Sequence, residues 1–407
     1  MGGTEFFTAM PVSEALAGFR PTRRTGTELV SRDEALGRVP ASPVTSGTAL
    51  PGFARSTVDG YAVRAADTYG AGESLPAYFD VPGSVRMGTR AGIAVRRGIA
   101  VQVPTGAAIP EGADAVVMVE HTQRTMPAAV EVTRPVAVGE GIVRADEDVS
   151  AGAELATEGR PLRAHDLGML AAAGVSEVRV REKPLVGILA TGDEVVPPET
   201  VDTEPGQVRD ATTSALSALV TEAGGEPAPR GIVPDDVEVL SKSLAAAVRT
   251  CDVVVVSAGS SVGARDETTA AVAALGEPGV YCHGLAIKPG KPTLLAECGT
   301  VPIIGLPGNP LSALVVFRVV GVPILRTVGG ITEPPARPTV TATLSRAVAS
   351  AAGRLDIVQV RLRDGMATPL FGASALLSLL TGADGYIVIG EAATGLDANT
   401  TVSVTLY

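Results

Sequence analysis

Three apolar runs between Asp252 and Ala313 each end in a turn rich in glycine or proline. Val253-Val254-Val255-Val256 opens into Ser257-Ala258-Gly259-Ser260-Ser261-Val262-Gly263-Ala264-Arg265-Asp266. Ile287-Lys288-Pro289-Gly290-Lys291-Pro292 follows a second run, and Val301-Pro302-Ile303-Ile304-Gly305 opens into Leu306-Pro307-Gly308-Asn309-Pro310. Unbroken apolar runs suit strands buried on both faces of a parallel sheet. Such sheets bind ligands beyond the carboxyl ends of their strands, so the chemistry is expected in these turns.

The surrounding pattern supports that fold. From Lys183 onward, strands at 185–190, 231–233 and 253–256 alternate with helices at 212–223, 237–248, 267–275 and 311–325. Helices of about ten to fifteen residues between apolar strands indicate a doubly wound α/β domain. Upstream, residues 12–19, 32–37 and 162–173 carry short helical patterns. Residues 51–142 are instead short apolar runs broken by Gly and Pro, which reads as a β-rich piece inserted into a helical one. After the proline-rich stretch 333–338, alternating strands form a small β-barrel or sandwich.

Length and charge narrow the function. The chain has 407 residues, too many for one ordinary core. Lys+Arg number 33 and Asp+Glu 44, a net charge of −11, which argues against a nucleic-acid or anionic-membrane surface. An anionic substrate must therefore meet a local basic patch or a bound cation. Cys251, Cys282 and Cys298 lack C-x-x-C spacing and read as reduced, buried thiols, while His121, His165 and His283 are scattered. The most apolar helical stretch, 311–325, is too short for a membrane span and carries Arg318. The N-terminus shows no basic segment followed by an apolar one, and Phe6 stands where myristoylation wants Ser or Thr. A cytoplasmic protein is expected.

Lys288 and Lys291 flank Pro289-Gly290, and two compact charges on a stiff loop suit phosphate or another tetrahedral oxyanion. Gly259 to Gly263 offers backbone N–H groups to an anion, without the Walker spacing. Asp266 suits either a helix N-cap or a cation ligand, capping being commoner. Thr191-Gly192-Asp193-Glu194 follows a buried strand, and its adjacent carboxylates can coordinate Mg²⁺ or orient a water, the alternative being a solvated loop leading into Pro197-Pro198. Asp235-Asp236 reads first as a helix N-terminus. Asp59, in Ser56-Thr57-Val58-Asp59-Gly60-Tyr61-Ala62-Val63, is a turn-former or a ligand.

Taken together, these motifs resemble the molybdopterin molybdenumtransferase family, the MoeA type that includes the E-domain of gephyrin. Residues 56–63 match its S-x-x-D-G-Y-A-V form. Thr105-Gly106-Ala107, residues 110–117, Glu147-Asp148-Val149, residues 191–194 and 231–236, Ser261-Val262-Gly263 with Asp266, and residues 288–292 and 306–310 follow in family order.

The resemblance implies four domains. They are an elongated dimerisation domain (1–50 and 143–182), an inserted β-rich domain (51–142), an α/β molybdopterin-binding domain (183–327) and a C-terminal β-barrel (328–407). It implies a homodimer whose site joins the third domain of one subunit to the second of the other. The implied reaction takes adenylylated molybdopterin and molybdate, and yields molybdenum cofactor and AMP with Mg²⁺. It places Glu194 and Asp266 on the cation, and Lys288 and Lys291 on molybdate or phosphate oxygens. Asp59, Thr105 and Asp148 would reach across from the partner subunit. Substrate contacts are expected from Thr191, Gly192, Asp193, Gly259, Ser261, Gly263, Pro307, Gly308, Asn309 and Ser374, with the molybdopterin adenylyltransferase as a candidate partner. Departures from the family form fall at residues 257–264, at Arg209-Asp210-Ala211-Thr212 and at Ala373-Ser374-Ala375. The competing expectation is a scaffold relative that binds peptide tails, and tungstate is the competing oxyanion.

Overall fold

The computed structural model describes residues 9–257 and 262–407, with backbone alone at Thr125 and residues 262–266. Its centre is a six-stranded sheet. The strands are β1 (Leu185–Thr191), β2 (Glu226–Val233), β3 (Val253–Ser257), β4 (Pro278–His283), β6 (Leu294–Cys298) and β7 (Val301–Leu306), in the spatial order β2-β1-β3-β7-β6-β4. Strands β2, β1, β3 and β7 are parallel; β6 runs antiparallel to β7, and the edge strand β4 runs antiparallel to β6. The doubly wound sheet is thus mixed rather than wholly parallel.

The four valines of β3 show why the run is unbroken. Val253 and Val255 join one core with helix Ala211–Glu222 and the helical stretch after β7. Val254 and Val256 join a second core, with Leu240 and Leu244 of helix Val237–Thr250 and Ala271 of helix Val262–Ala273. Period-two alternation buries every residue because both faces are covered.

Several helices differ from expectation. Residues 32–37 shrink to a single 3-10 turn, Arg32–Glu34. The helix expected at 267–275 begins earlier, at Val262, so Asp266 lies inside it and not at its N-cap. A β-branched valine and a glycine open that first turn, and their low helix propensity hides it in the sequence. The stretch expected at 311–325 runs helical over Pro310–Val328, 19 residues, through a π-helical turn at Phe317–Gly321. By length and composition it is therefore long enough for a span, but 72% of it is buried inside the protein. It is a core helix, with Phe317 and Val320 fully enclosed.

Upstream, Thr27–Ser31 pairs with Glu177–Arg181, and Val44–Thr45 with Glu154–Ala156. These pairs close around two small antiparallel sheets. One holds Gly60–Val63, Val101–Val103 and Ala115–Met118; the other holds Ala77–Asp80, Thr122–Met126 and Ala129–Val132. At the C-terminal end, β8 (Thr339–Leu344), β9 (Leu355–Arg363), β10 (Met366–Pro369), β11 (Gly385–Ile389) and β12 (Thr401–Leu406) form a closed barrel. Its order is β9-β10-β8-β12-β11, with β11 pairing back to β9. Leu344, Val360, Ala367 and Val404 fill its interior.

One short strand crosses between these bodies. Ile287–Lys288 (β5) pairs in parallel with barrel strand β9, with Ile287 opposite Leu355 and Lys288 opposite Asp356. The run before the lysine loop is therefore not a strand of the central sheet. It leaves the connection between antiparallel β4 and β6 and enters the barrel's sheet instead. Its apolar side chains Leu285 and Ile287 are buried in the core that also holds Ile357 of β9.

Candidate functional site

The lysine loop borders a cavity of about 790 Å³ between the central sheet and the barrel. Lys288 and Lys291 line it, with Pro307 and Asn309 from the turn after β7 and Ser374 from the barrel. The loop is tied internally: Leu285 N donates to Lys291 O at 2.8 Å, and Thr293 Oγ1 donates to Gly290 O at 2.6 Å. Gly290 has φ +121°, and a Cβ there would sit 2.2 Å from Val316 Cγ2. Only glycine allows this turn to press against the buried helix. Asn309 Nδ2 donates to Ser374 Oγ at 2.9 Å and links the sheet turn to the barrel.

Arg354 also lines the cavity and was not among the sequence candidates. It lies on the rim of β9 beside Asp356, whose carboxylate is 2% exposed. Arg354 Nε donates to Asp356 Oδ1 at 2.7 Å and Nη2 to Oδ2 at 3.2 Å. The bidentate pair holds the guanidinium in one orientation. The β5–β9 pairing brings Lys288 alongside it. Among the described residues, neither lysine pairs with a carboxylate. A chain of charge −11 thus keeps three cations around one cavity, two of them free for an oxyanion.

A carboxylate group lies apart from that cavity, where β1 ends. Thr191 is buried and its Oγ1 donates to Ser257 O at 3.4 Å, tying the ends of β1 and β3 together. Glu194 folds back over Gly192, whose φ of +135° leaves no room for a Cβ beside the Glu194 carboxylate. Asp236 accepts from Val239 N at 2.9 Å and so serves as the cap of its helix. Asp235 is thereby free of that task; its amide donates to Asp193 Oδ1 at 3.2 Å. Burial pushes the Asp235 carboxyl up, and the charges of Asp193, Glu194 and Glu267 push the same way. Glu267 Oε2 is buried with no hydrogen-bond partner among the described residues. Crowded acids with an orphaned oxygen are electrostatically unfinished without a cation.

Among the described residues, no group of three His, Cys, Asp or Glu side chains is already closed around a metal position. Mg²⁺ does not require one, because it takes one or two carboxylates and completes its shell with water and phosphate oxygens. The residues present fit that ion. Strand β3 lies between β1 and β7, so the acid group and the Pro307 turn are separated by two strand spacings, about 10 Å.

Other sequence candidates lie elsewhere. Asp59 and Thr105 meet, with Thr105 N donating to Asp59 Oδ1 at 2.8 Å and Thr105 Oγ1 at 3.1 Å. Both are exposed, as is Asp148, and neither these three nor Glu194 lines the lysine cavity. Gly259 and Ser261 lie outside the described residues. Gly263 and Asp266 are placed by backbone alone, in the first turns of helix Val262–Ala273. Asp235, Glu267 and Arg354 were missed. The Pro234-Asp235-Asp236 doublet held the signal for the first, since one cap needs only one of two acids.

These features define a multi-domain α/β protein with a lysine-bordered cavity and a separate acidic group where β1 ends. Three family models match it: the MoeA N-terminal region (domain I and II) over residues 10–174, the probable molybdopterin binding domain over 187–327, and the MoeA C-terminal region (domain IV) over 341–407. A molybdopterin molybdenumtransferase of Bacillus subtilis is 31% identical over 98% of this chain and 94% of its own length. One of Nostoc is 35% identical over 75% of this chain and 70% of its own. The crystal structure of a molybdopterin biosynthesis MoeA protein from Pyrococcus horikoshii is similar with a TM-score of 0.86 at 32% identity, covering 98% of this chain and all of that one. The chain belongs to the MoeA family of molybdopterin molybdenumtransferases.

Proposed function

We propose that this chain inserts molybdate into adenylylated molybdopterin, giving molybdenum cofactor and AMP. The observation that carries the reading is the cavity with Lys288, Lys291 and Arg354 at its edge in a chain of this family. Lys288 and Lys291 hold the tetrahedral oxyanion as point charges, and Arg354, oriented by Asp356, presents a planar fork beside them. Pro307 and Asn309 form the cavity's sheet-side wall and set how far the anion reaches toward β7.

Glu194 and Asp235, with Glu267 and Asp266 on the neighbouring helix, would hold Mg²⁺. When bound, the ion polarises phosphate oxygens and neutralises charge as the pyrophosphate bond breaks. The distance of about 10 Å between the acid group and the Pro307 turn suits one extended substrate that bridges both. Asp59, Thr105 and Asp148 complete the site from a second copy of this chain. That role is supported by their exposure and by the Asp59–Thr105 hydrogen bonds, which preset the turn. In this reading residues 1–50 and 143–182 carry the dimer contact, and the protein works in the cytoplasm.

The test incubates purified protein with adenylylated molybdopterin, molybdate and Mg²⁺ while AMP is followed. Release well above an enzyme-free control is expected. Release at the control level from a folded dimer would sink the proposal.

A further inference from the structure

On the other side of β9 lies a second cavity, of about 410 Å³, enclosed by the buried helix, the linker at 331–337 and the barrel. Strand β9 is its shared wall: Leu355 faces this cavity, while Arg354 and Asp356 face the lysine cavity. Its lining is mainly apolar, with Val319, Pro323, Ile331 and Val388 contributing. Arg326 and Arg337 line it, and among the described residues no Asp or Glu does.

Arg337 is held in place: Nη1 donates to Tyr386 Oη at 2.8 Å and Nη2 to Arg318 O at 2.7 Å. Arg326 is not. Among the described residues it forms no ion pair and its buried Nε has no hydrogen-bond partner. Glu222, which lines the neighbouring cleft, pairs instead with Arg318 at 3.5 Å. Arg318 also stacks over the Tyr407 ring at 4.8 Å. Burial, and then the charge of Arg337, act against the charged form of Arg326. Arginine keeps its proton in proteins, so the mismatch must be met by a ligand or left standing.

We propose that this cavity binds a small amphipathic anion, a carboxylate or phosphate ester with an apolar body. The head lies between Arg326 and Arg337, and the body lies against the apolar wall of the barrel and helix. Cavities of this size with a few convergent polar groups on apolar walls are the usual form of small-molecule sites. The site is separate from the oxyanion cavity, and the inference does not depend on the transferase reading.

Calorimetric titration of the full chain with octanoate, octyl phosphate, 1-octanol and inorganic phosphate tests it. One or both amphipathic anions should bind at least tenfold more tightly than 1-octanol and inorganic phosphate. Arg326→Met should weaken that binding at least tenfold without lowering Tm, and Lys288→Ala should leave it unchanged. Should Arg326→Met fail to fold, Val388→Trp fills the same cavity from an exposed strand position and should abolish binding. Equal binding of octanol and octanoate, binding that survives both cavity variants, or binding lost in Lys288→Ala would each overturn the proposal. So would no binding by either anion.

Discussion

Arg354 and Asp356 stand two residues apart on one strand edge and grip each other through two parallel hydrogen bonds, with the carboxylate almost wholly enclosed. Arg354 sits in the bend that opens β9 and Asp356 is the strand's second residue, so the pair clamps the entry to the strand. It is why a half-exposed guanidinium at the cavity has one orientation rather than several.

Asp356→Asn should therefore affect both stability and anion binding. The neutral amide cannot accept both guanidinium hydrogen bonds, and a loss of about 1–3 kcal/mol is expected in urea denaturation. The molybdate KM should rise as Arg354 loosens. Wild-type values for both would show that the pair neither supports the barrel edge nor positions the arginine.

Lys288→Ala and Lys291→Ala should leave Tm near wild type, because both side chains are exposed. Each should raise the molybdate requirement roughly tenfold or more, since charge-assisted contacts contribute about 1.5–3 kcal/mol. Unchanged molybdate dependence in both variants would move the oxyanion site away from this loop.

Gly290→Ala introduces a methyl into space already held by Val316 and puts alanine at φ +121°. Both effects are destabilising, by about 2–4 kcal/mol together. The loop should also lose its register, so oxyanion affinity falls in parallel. A stable variant with normal affinity would mean the loop finds another path past the helix.

Asp235→Asn removes one of several repelling carboxylates. Without metal, the variant should melt at the same temperature or about 1–3 °C higher. The rise in Tm that Mg²⁺ gives the wild-type protein should shrink. An undiminished Mg²⁺ response would place the ion elsewhere.

Acid sensitivity should concentrate at Asp166. Burial pushes its carboxyl up, but hydrogen bonds from Arg163 and Arg160 together outweigh that and hold it well below the ordinary carboxylate range. Its folded-state pKa is below the unfolded one, so the contribution is complete above about pH 3.9 and is lost as pH falls further. Asp166→Asn should be less stable than wild type at pH 7, and the difference should narrow below pH 4. A constant difference down to acid-induced unfolding would contradict this.

The central sheet was readable because Val253–Ser257 must be buried on both faces, and nothing but a covered sheet does that. The barrel was readable as alternation after a proline-rich linker. The two lysines are plain in the sequence, but the sheet their strand joins is not. Ile287 and Lys288 carry no mark of their partner, because a two-residue parallel pairing with β9 is decided by tertiary packing. Arg354 went unnoticed for the same reason: Arg354-Leu355-Asp356 reads as ordinary strand alternation until β5 arrives beside it. Asp235 was hidden by its neighbour's capping role, and Glu267 by its place inside a helix, where acids are common.

The β5–β9 pairing also divides the oxyanion cavity into two mechanical parts. Lys288 is registered to the barrel, while Pro307 ends a strand of the central sheet. Gly290, pressed against Val316 of the buried helix, ties the same loop to the central body, so the lysines sit at the seam between the two. The Asn309–Ser374 hydrogen bond spans the same seam. A substitution at that seam is therefore expected to alter anion affinity without touching a charged residue.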